Sequence, residues 1–318
     1  MTDLSAAFDL VRRHVAESRL PTAVLGVADA QGILALDAFG AREDARYLLY
    51  SVTKPLVGIT AARLVQQGLL TPQTPLAEAL PGFGAEREDT VRLRHLVSHT
   101  AGIAEPPLDS RAPLREELLQ AGRDFAAGSA SRYSSLAFEG VAALIEHAGA
   151  APWDRQLRDW TASAGAAGLS LEPGDALRTV DAAAAGMDEE RLLARRHPGA
   201  GLSGTAADLL SIGRTLLSGG GDVLRPATLA MMLRPLTGDI PRLDPYPAER
   251  GQDWGFSWNL PRRAPGLIDT DLYGHGGWAG TAFWVHPGAG ICWVLLTNRA
   301  RRPGVDVDAI DNAVIGAL

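Results

Sequence analysis

One serine and one lysine, three positions apart, are the side chains of this chain best suited to nucleophilic catalysis. The 318 residues include 30 lysine and arginine residues, and Lys54 is the only lysine among them. An arginine keeps its proton in proteins, whereas a lysine can be brought to release one. On a helix, the spacing of Ser51 and Lys54 places both side chains on one face. A serine hydroxyl beside a desolvated amine predicts a nucleophile.

A serine–lysine spacing of this kind also arises by chance, so other reactive side chains need consideration. Cys292 lies in an apolar run at 290–296, which predicts a small core residue on a buried strand. His95 and His99 have the i,i+4 spacing of helical metal ligands, but no H-E-x-x-H sequence and no third ligand cluster accompany them. We therefore expect no metal and no other cofactor, and we expect His99 to pack or to form hydrogen bonds.

The sequence after the serine predicts a helix that begins at or near Ser51. Pro55 is tolerated only in the first turn of such a helix, because deeper in the helix it would remove a backbone hydrogen bond. Backbone N–H groups and the helix dipole at this end favour a developing negative charge. Gly68 is expected to end the helix as a C-cap residue. An apolar stripe predicts the buried face: Leu56, Ile59, Leu64 and Val65.

The remaining pattern places strands near both ends of the chain and helices in the middle. An amphipathic N-terminal helix, with Leu4, Phe8, Val11 and Val15 on one face, precedes a hairpin with strands at 23–28 and 33–36. Helices are predicted at 91–99, 114–121, 136–147, 153–161, 206–217 and 226–233, the fifth capped by Thr205 with Asp208. Strands at 254–258, 282–285 and 291–296 and a helix at 307–318 follow.

This order predicts an α/β (α+β) fold, with one antiparallel sheet built from both termini and flanked by helices. We expect a single domain over 1–318 with two lobes. An α/β lobe would hold about 1–70 and 254–318, and a mainly helical lobe would be inserted at about 71–253.

Composition excludes several classes of function. The net charge of −7 and the absence of a basic stretch argue against a nucleic-acid partner. No apolar segment reaches the length of a membrane span. The N-terminus lacks the apolar region of a secretory signal, so we expect a soluble cytoplasmic protein. Nothing in the pattern specifies an oligomeric state.

Five ordered segments resemble motifs of the penicillin-recognising serine hydrolases, the superfamily of class C β-lactamases, D-alanyl-D-alanine carboxypeptidases and related esterases. Ser51-Val52-Thr53-Lys54 resembles their S-x-x-K, and Tyr133-Ser134-Ser135 resembles their Tyr-x-Asn. The other three segments are 96–103 (their LLxHTSGL), 201–209 (their GGLxSTAxDL) and His275-Gly276-Gly277-Trp278-Ala279-Gly280 (their Lys-Thr-Gly or His-x-Gly). The resemblance covers nearly the whole chain and implies a β-lactamase/transpeptidase-like fold.

The resemblance also implies a role for each matching residue. Ser51 would become acylated, Lys54 would accept or relay its proton, and Tyr133 would be a second proton relay. The backbone N–H groups of Ser51 and Trp278 would form the oxyanion hole. Substrate-binding roles fall to Ser135, His275, Gly276 and Gly277, the two glycines letting the backbone come close to the substrate.

Two departures from the family pattern favour an esterase. Ser135 replaces the usual asparagine, and His275 with Gly276 stand where β-lactamases place a lysine and a threonine or serine that bind a substrate carboxylate. The leading hypothesis is a serine hydrolase acting on small carboxylic esters or related amides. The alternatives are a β-lactamase or D-alanyl-D-alanine carboxypeptidase, with a β-lactam or peptide substrate, and a non-turnover acyl-binding or sensor protein. An α/β-hydrolase is disfavoured because no G-x-S-x-G occurs.

Overall fold

The computed structural model describes residues 3–317, and a seven-stranded sheet is its central feature. The strands of this sheet are β1 (Ala23–Asp29), β2 (Ile33–Phe39), β5 (Asp253–Trp254), β6 (Asn259–Leu260), β7 (Tyr273–Gly276), β8 (Ala282–His286) and β9 (Ile291–Thr297). Their order is β2-β1-β9-β8-β7-β6-β5, and every pairing is antiparallel. The N-terminal hairpin therefore joins the C-terminal strands through the β1–β9 pairing.

Eleven α-helices occur within residues 3–317. They are α1 (Ser5–Ala16), α2 (Thr53–Gln66), α3 (Leu76–Ala79), α4 (Leu93–Val97), α5 (Leu114–Gln120), α6 (Ala137–Gly149), α7 (Trp153–Ser163), α8 (Glu189–Ala194), α9 (Ala206–Leu217), α10 (Pro226–Met232) and α11 (Val307–Ile315). Short 3₁₀ helices occupy Tyr50–Val52 and Ala248–Arg250, and a separate antiparallel pair joins β3 (Tyr47–Leu48) to β4 (Ser203–Gly204).

The two faces of the sheet are covered by different helices, because successive side chains of a strand point to opposite faces. On one face, Val24 of β1 and Cys292 of β9 join a large core that includes α2, α6 and α9. On the other face, Leu25 of β1 and Trp293 of β9 pack with α1 and α11. The free thiol of Cys292 is buried, as the apolar run around it predicts.

The predicted fold class is confirmed, and several elements lie where the sequence places them. The hairpin strands pair across a tight turn, and α9 begins and ends at the predicted residues. Thr205 and Asp208 form the predicted capping box at the start of α9. Val11 and Phe8 of α1 are buried, whereas Val15 is only partly buried.

One predicted strand is wrong, because 254–258 contains a turn. β5 ends at Trp254 and β6 begins at Asn259, with Ser257 between them at a φ of +68°. The backbone N–H of Ser257 donates to the carbonyl of Val97, far away in the sequence. Gly58 of α2 packs against this turn, since a Cβ there would lie 2.3 Å from the Ser257 hydroxyl.

Two predicted helices are shorter than expected. The segment predicted at 91–99 is helical only over Leu93–Val97, and His99 follows it at a φ of +60°. His95 and His99 therefore do not share a helix face. The last helix ends at Ile315. Leu318, like Met1 and Thr2, lies outside the described residues. Within residues 3–317, no helix combines the length and apolarity needed to cross a membrane.

Candidate active site

Ser51 lies in the 3₁₀ turn that leads directly into α2. Tyr50, the preceding residue, has a φ of +47°, in the left-handed region that non-glycine residues rarely adopt. Its buried phenol hydrogen-bonds to the Thr179 hydroxyl at 2.7 Å and donates to the Glu189 carboxylate at 2.5 Å. This anchor holds the unusual backbone conformation that begins the nucleophile turn.

Lys54 is fully buried one turn after Ser51, at the start of α2. Its Nζ lies 3.1 Å from Ser51 Oγ, 3.0 Å from Ser135 Oγ and 2.9 Å from the carbonyl oxygen of Gly199. Burial lowers the pKa of Lys54 to about 7, because the charged ammonium loses its hydration, while the nearby Glu105 carboxylate opposes the shift. The amine is therefore able to exist in its neutral form near neutral pH.

Tyr133 lies beside this pair, at the start of the segment that leads into α6. Lys54 Nζ is 4.6 Å from the centroid of the Tyr133 ring. Burial raises the pKa of the Tyr133 hydroxyl well above its usual value, although the neighbouring Ser51 hydroxyl acts to lower it. The hydroxyl forms no hydrogen bond of ordinary geometry with any residue in 3–317. The phenol is therefore neutral in the free protein and lies next to the nucleophile.

Glu105, which sequence reasoning missed, holds the segment after Tyr133. Its carboxylate accepts from the Ser134 hydroxyl at 2.6 Å and from the backbone N–H groups of Ser135 at 2.8 Å and Leu136 at 3.1 Å. Glu105 lies in the loop after α4, about 30 residues before its partners in the chain. No local sequence signal links positions so far apart.

His275 is buried near the end of β7 and is uncharged. Its Nδ1 lies 2.7 Å from the Gly276 carbonyl oxygen, which only accepts, so Nδ1 carries the proton and Nε2 presents a lone pair. Burial, with the nearby Lys54 charge, lowers the pKa of His275 to about 3. Nε2 has no partner among the described residues. The ring therefore supplies no positive charge.

The two glycines after His275 have different surroundings. A Cβ on Gly276 would have no closer neighbour than the Thr281 carbonyl oxygen at 3.9 Å. A Cβ on Gly277 would lie 2.0 Å from the Thr281 hydroxyl and 2.6 Å from the Leu49 carbonyl oxygen. Gly277 is thus required for the close approach of this turn to the chain before Ser51, and Gly276 is not.

The turn after β7, which contains Trp278, contacts the chain just before the nucleophile. The Gly277 N–H donates to the Thr281 carbonyl at 2.6 Å, and the Thr281 hydroxyl donates to the Leu49 carbonyl at 3.1 Å. The Trp278 ring centroid is 5.3 Å from that of Tyr50. Neither the Ser51 nor the Trp278 backbone N–H donates a hydrogen bond to another residue in 3–317. Both N–H groups are available to an oxyanion.

A cleft of about 520 Å³ opens at Ser51. Its walls include all the predicted site residues except Lys54, which lies beneath the surface. Aromatic side chains, two arginines and two aspartates make up much of the rest: Tyr246, Trp284, Arg250, Arg302, Asp308 and Asp311. Trp278 and Trp284 thus line the cleft, whereas Trp254 and Trp258 are buried core residues.

His99, one of the two histidines with possible metal spacing, has packing and hydrogen-bonding contacts. The Ser134 N–H donates to His99 Nδ1 at 3.1 Å, and the His99 and Tyr133 ring centroids are 4.3 Å apart. Among residues 3–317, no group of three or more His, Cys, Asp or Glu side chains is arranged to hold a metal ion.

Comparisons of sequence and structure find similar known proteins. A family model described as Beta-lactamase matches residues 7–317. Penicillin-binding protein 4 of Amycolatopsis lactamdurans is 30% identical over an alignment of 281 residues that covers 78% of this chain and 71% of that protein. Esterase EstB of Burkholderia gladioli is 31% identical over an alignment of 182 residues that covers 47% of this chain and 45% of the esterase, so the match spans under half of the esterase's length. The solved structure of EstCE1, a hydrolase with promiscuous acyltransferase activity, shares the fold with a TM-score of 0.80 at 22% identity, covering 98% of this chain and 97% of that one.

Proposed function

The chain belongs to the Beta-lactamase family, and from that premise we propose that it is a serine esterase that acts on small carboxylic esters or related amides through an acyl-enzyme. The contact of Lys54 Nζ with Ser51 Oγ at 3.1 Å is the observation that carries the proposal. A buried amine whose pKa is lowered to about 7 is suited to activate the adjacent hydroxyl.

In the acylation step, Ser51 Oγ attacks the ester carbon while its proton moves to Lys54 Nζ. The carbonyl oxygen becomes an oxyanion that the Ser51 and Trp278 N–H groups stabilise, a contribution of roughly 3 kcal/mol per donor in comparable sites. The bond from carbon to the leaving oxygen then breaks, and the leaving alkoxide takes a proton. Because the Tyr133 phenol is neutral, it is suited to deliver that proton and to be restored through Lys54.

Deacylation follows the same path with water in place of Ser51. Water attacks the acyl carbon, its proton moves to the Tyr133–Lys54 pair, and the bond to Ser51 Oγ breaks. The released serine oxygen recovers a proton from Lys54. The reaction is a net hydrolysis, and each group returns to its starting state.

The charges around the cleft support an ester over a carboxylate-bearing β-lactam. His275 is neutral and Gly276 has no side chain, so neither provides the cation and hydroxyl that bind a carboxylate. Arg302 also lines the cleft, but it donates to the Trp278 and Ala300 carbonyls at 3.2 and 2.9 Å. Asp308 also lines the cleft, and its ionised carboxylate would repel a substrate anion.

A β-lactamase or D-alanyl-D-alanine carboxypeptidase is the second candidate, and Arg250 is the observation that favours it. Its guanidinium lies 5.6 Å from the Tyr246 ring centroid at the cleft wall, where it would meet a substrate carboxylate. The likeness to Penicillin-binding protein 4 also favours this candidate.

The test compares initial rates on a short-chain p-nitrophenyl ester and a chromogenic cephalosporin. Ser51→Ala serves as the blank, with Lys54→Ala and Tyr133→Phe as role-specific variants. We expect ester turnover that falls at least about 100-fold in Ser51→Ala and Lys54→Ala without loss of the folded state. Full activity in Ser51→Ala would rule out the proposal. Dominant cephalosporin turnover would favour the second candidate, and stable mass addition at Ser51 without product release would indicate an acyl-binding or sensor protein.

A further inference from the structure

We propose that Glu105 is a positioning residue of this site: its carboxylate fixes the segment after Tyr133 so that the Ser135 hydroxyl meets Lys54. The inference rests on the proposed function, because it assigns Glu105 a part in activating Ser51. Glu105 does not line the cleft, so it acts through the residues that it holds.

Three consecutive residues donate to the one carboxylate of Glu105. Oε1 accepts from the backbone N–H of Ser135 at 2.8 Å, and Oε2 accepts from the Ser134 hydroxyl and the Leu136 N–H at 2.6 and 3.1 Å. Hydrogen bonds to an ionised carboxylate are among the strong ones in proteins. The backbone on both sides of Ser135 is therefore held by one carboxylate.

The Ser135 side chain links the segment bound by Glu105 to Lys54. The Ser135 backbone is bound by Glu105, while the Ser135 hydroxyl lies 3.0 Å from Lys54 Nζ. Ser135 replaces the longer asparagine of the family motif, so its hydroxyl reaches the amine only if its backbone is placed close. Glu105 supplies that placement, and Tyr133 lies in the same short segment.

The carboxylate also completes the start of α6. Leu136, the N-cap residue, provides no side-chain cap for this helix. The Ser134 hydroxyl accepts from the Ala137 N–H at 3.1 Å and donates to the Glu105 carboxylate at 2.6 Å. A negative charge at a helix N-terminus is favourable, so the Glu105 carboxylate also stabilises the start of α6.

Glu105 has a second effect, through its charge. It is the anion that opposes the desolvation of Lys54 and so favours the ammonium form. The other titratable groups that face Lys54 are neutral near pH 7, because burial disfavours their charged forms: His99, His197, His275 and Tyr133. Removing the Glu105 charge should lower the pKa of Lys54, so the neutral amine would persist to lower pH.

The experiment measures the rate at which a fluorophosphonate probe labels Ser51, as a function of pH, together with ester turnover. The variants are Glu105→Gln, which removes the charge, and Glu105→Asp, which keeps the charge but shortens the reach. Glu116→Gln is the matched control, because Glu116 is an exposed glutamate in α5, away from the site. Thermal unfolding of each variant reports its folded state.

We expect Glu105→Gln to slow labelling on the order of 10- to 100-fold at its pH optimum. The acidic limb of its pH–rate profile, where the labelling rate falls as pH decreases, should move to lower pH. Glu105→Asp should slow labelling with the acidic limb unmoved, and Glu116→Gln should match the wild type. Labelling of Glu105→Gln at the wild-type rate, or a slower rate with an unmoved acidic limb, would overturn this inference alone. A wild type that is neither labelled nor active would overturn the proposed function and this inference with it.

Discussion

The three contacts of Lys54 Nζ determine whether the amine donates a hydrogen bond to the Ser51 hydroxyl or accepts one from it. The Gly199 carbonyl only accepts hydrogen bonds, and the Ser135 hydroxyl is able to accept as well. A neutral amine has two N–H groups, which these two acceptors use, so its lone pair faces Ser51. Loss of one proton thus converts Lys54 from a donor toward Ser51 into an acceptor from it, with no movement of heavy atoms.

The pH dependence of ester hydrolysis should report this change of state. If neutral Lys54 is required, kcat/KM rises as pH increases and reaches half of its maximum near pH 7, the pKa to which burial lowers the amine. The measurement is kcat/KM between pH 5 and 9 with a substrate that does not ionise. A rate that stays flat down to pH 5 would contradict the role of Lys54 as the base.

Replacing Lys54 should abolish activity but increase the stability of the folded protein. The pKa of Lys54 is lower in the folded chain, about 7, than its ordinary value of 10.5, so the buried ammonium costs stability below pH 7 and this cost fades as pH rises toward 10.5. We expect Lys54→Met to lose activity while gaining about 1–3 kcal/mol of unfolding free energy at pH 6. Denaturant unfolding at pH 6 and pH 10 tests the sign, since the advantage over the wild type should shrink at the higher pH.

Among the elements, the turn after β7 is the one that contacts the chain just before the nucleophile. Gly277 and Thr281 bind it to Leu49, so the turn and the chain before α2 form a single unit. Tyr50, the residue after Leu49, is anchored by the hydrogen bond from its phenol to Glu189. Both candidate oxyanion donors therefore depend on backbone geometry and not on side-chain chemistry.

A pair of alanine substitutions tests this dependence. Gly277→Ala should lower kcat on the order of 100-fold, because its Cβ would displace the Leu49 or Thr281 contact and with it the Trp278 N–H. Gly276→Ala has room for the added methyl group and should change kcat by no more than about threefold. Any larger effect of this variant should appear in KM. Equal losses of kcat in the two variants would show that the close packing around Gly277 does not determine the position of the Trp278 N–H.

Element positions could be predicted where the signal is local. The capping box of Thr205 and Asp208 and the early Pro55 each lie within one turn of the helix start that they mark. The turn at Ser257 could not be predicted, because a carbonyl of Val97 holds it from a distant part of the chain. Glu105 was missed for the same reason, since its three partners are fixed by tertiary contact.

On the scale of the whole molecule, the candidate site joins parts of the chain that are far apart in sequence. Ser51 and Lys54 come from the start of α2, Tyr133 from the segment before α6, and His275 from β7. The order of the motifs along the chain indicated that these residues would meet, but their spacing does not give a distance. The roles of these residues and the division into two lobes, with boundaries near 70 and 254, stay predictions.

The C-terminal helix closes the molecule against the sheet, and Asp311 is the buried polar group at that contact. Its carboxylate accepts from the Trp293 indole N–H at 2.7 Å, and burial raises its pKa to about 7. An acid whose pKa is higher in the folded state loses stability as pH rises through that value. We expect Asp311→Asn to raise the unfolding free energy by about 1–3 kcal/mol at pH 8 and by much less at pH 4. A pH-independent difference between the two proteins, measured by denaturant unfolding, would contradict the buried acid as its cause.

The exposure of the tryptophans has a spectroscopic consequence. Of the seven indoles in the chain, six are buried, and Trp278 alone is partly open to solvent, in the wall of the cleft. An acyl group on Ser51 would displace water from this ring, the most exposed indole of the cleft wall. The intrinsic emission of the protein should therefore shift toward shorter wavelength as the acyl-enzyme forms and return as it hydrolyses. Stopped-flow fluorescence would then resolve both half-reactions with unlabelled substrates, and Trp278→Phe should remove most of the signal.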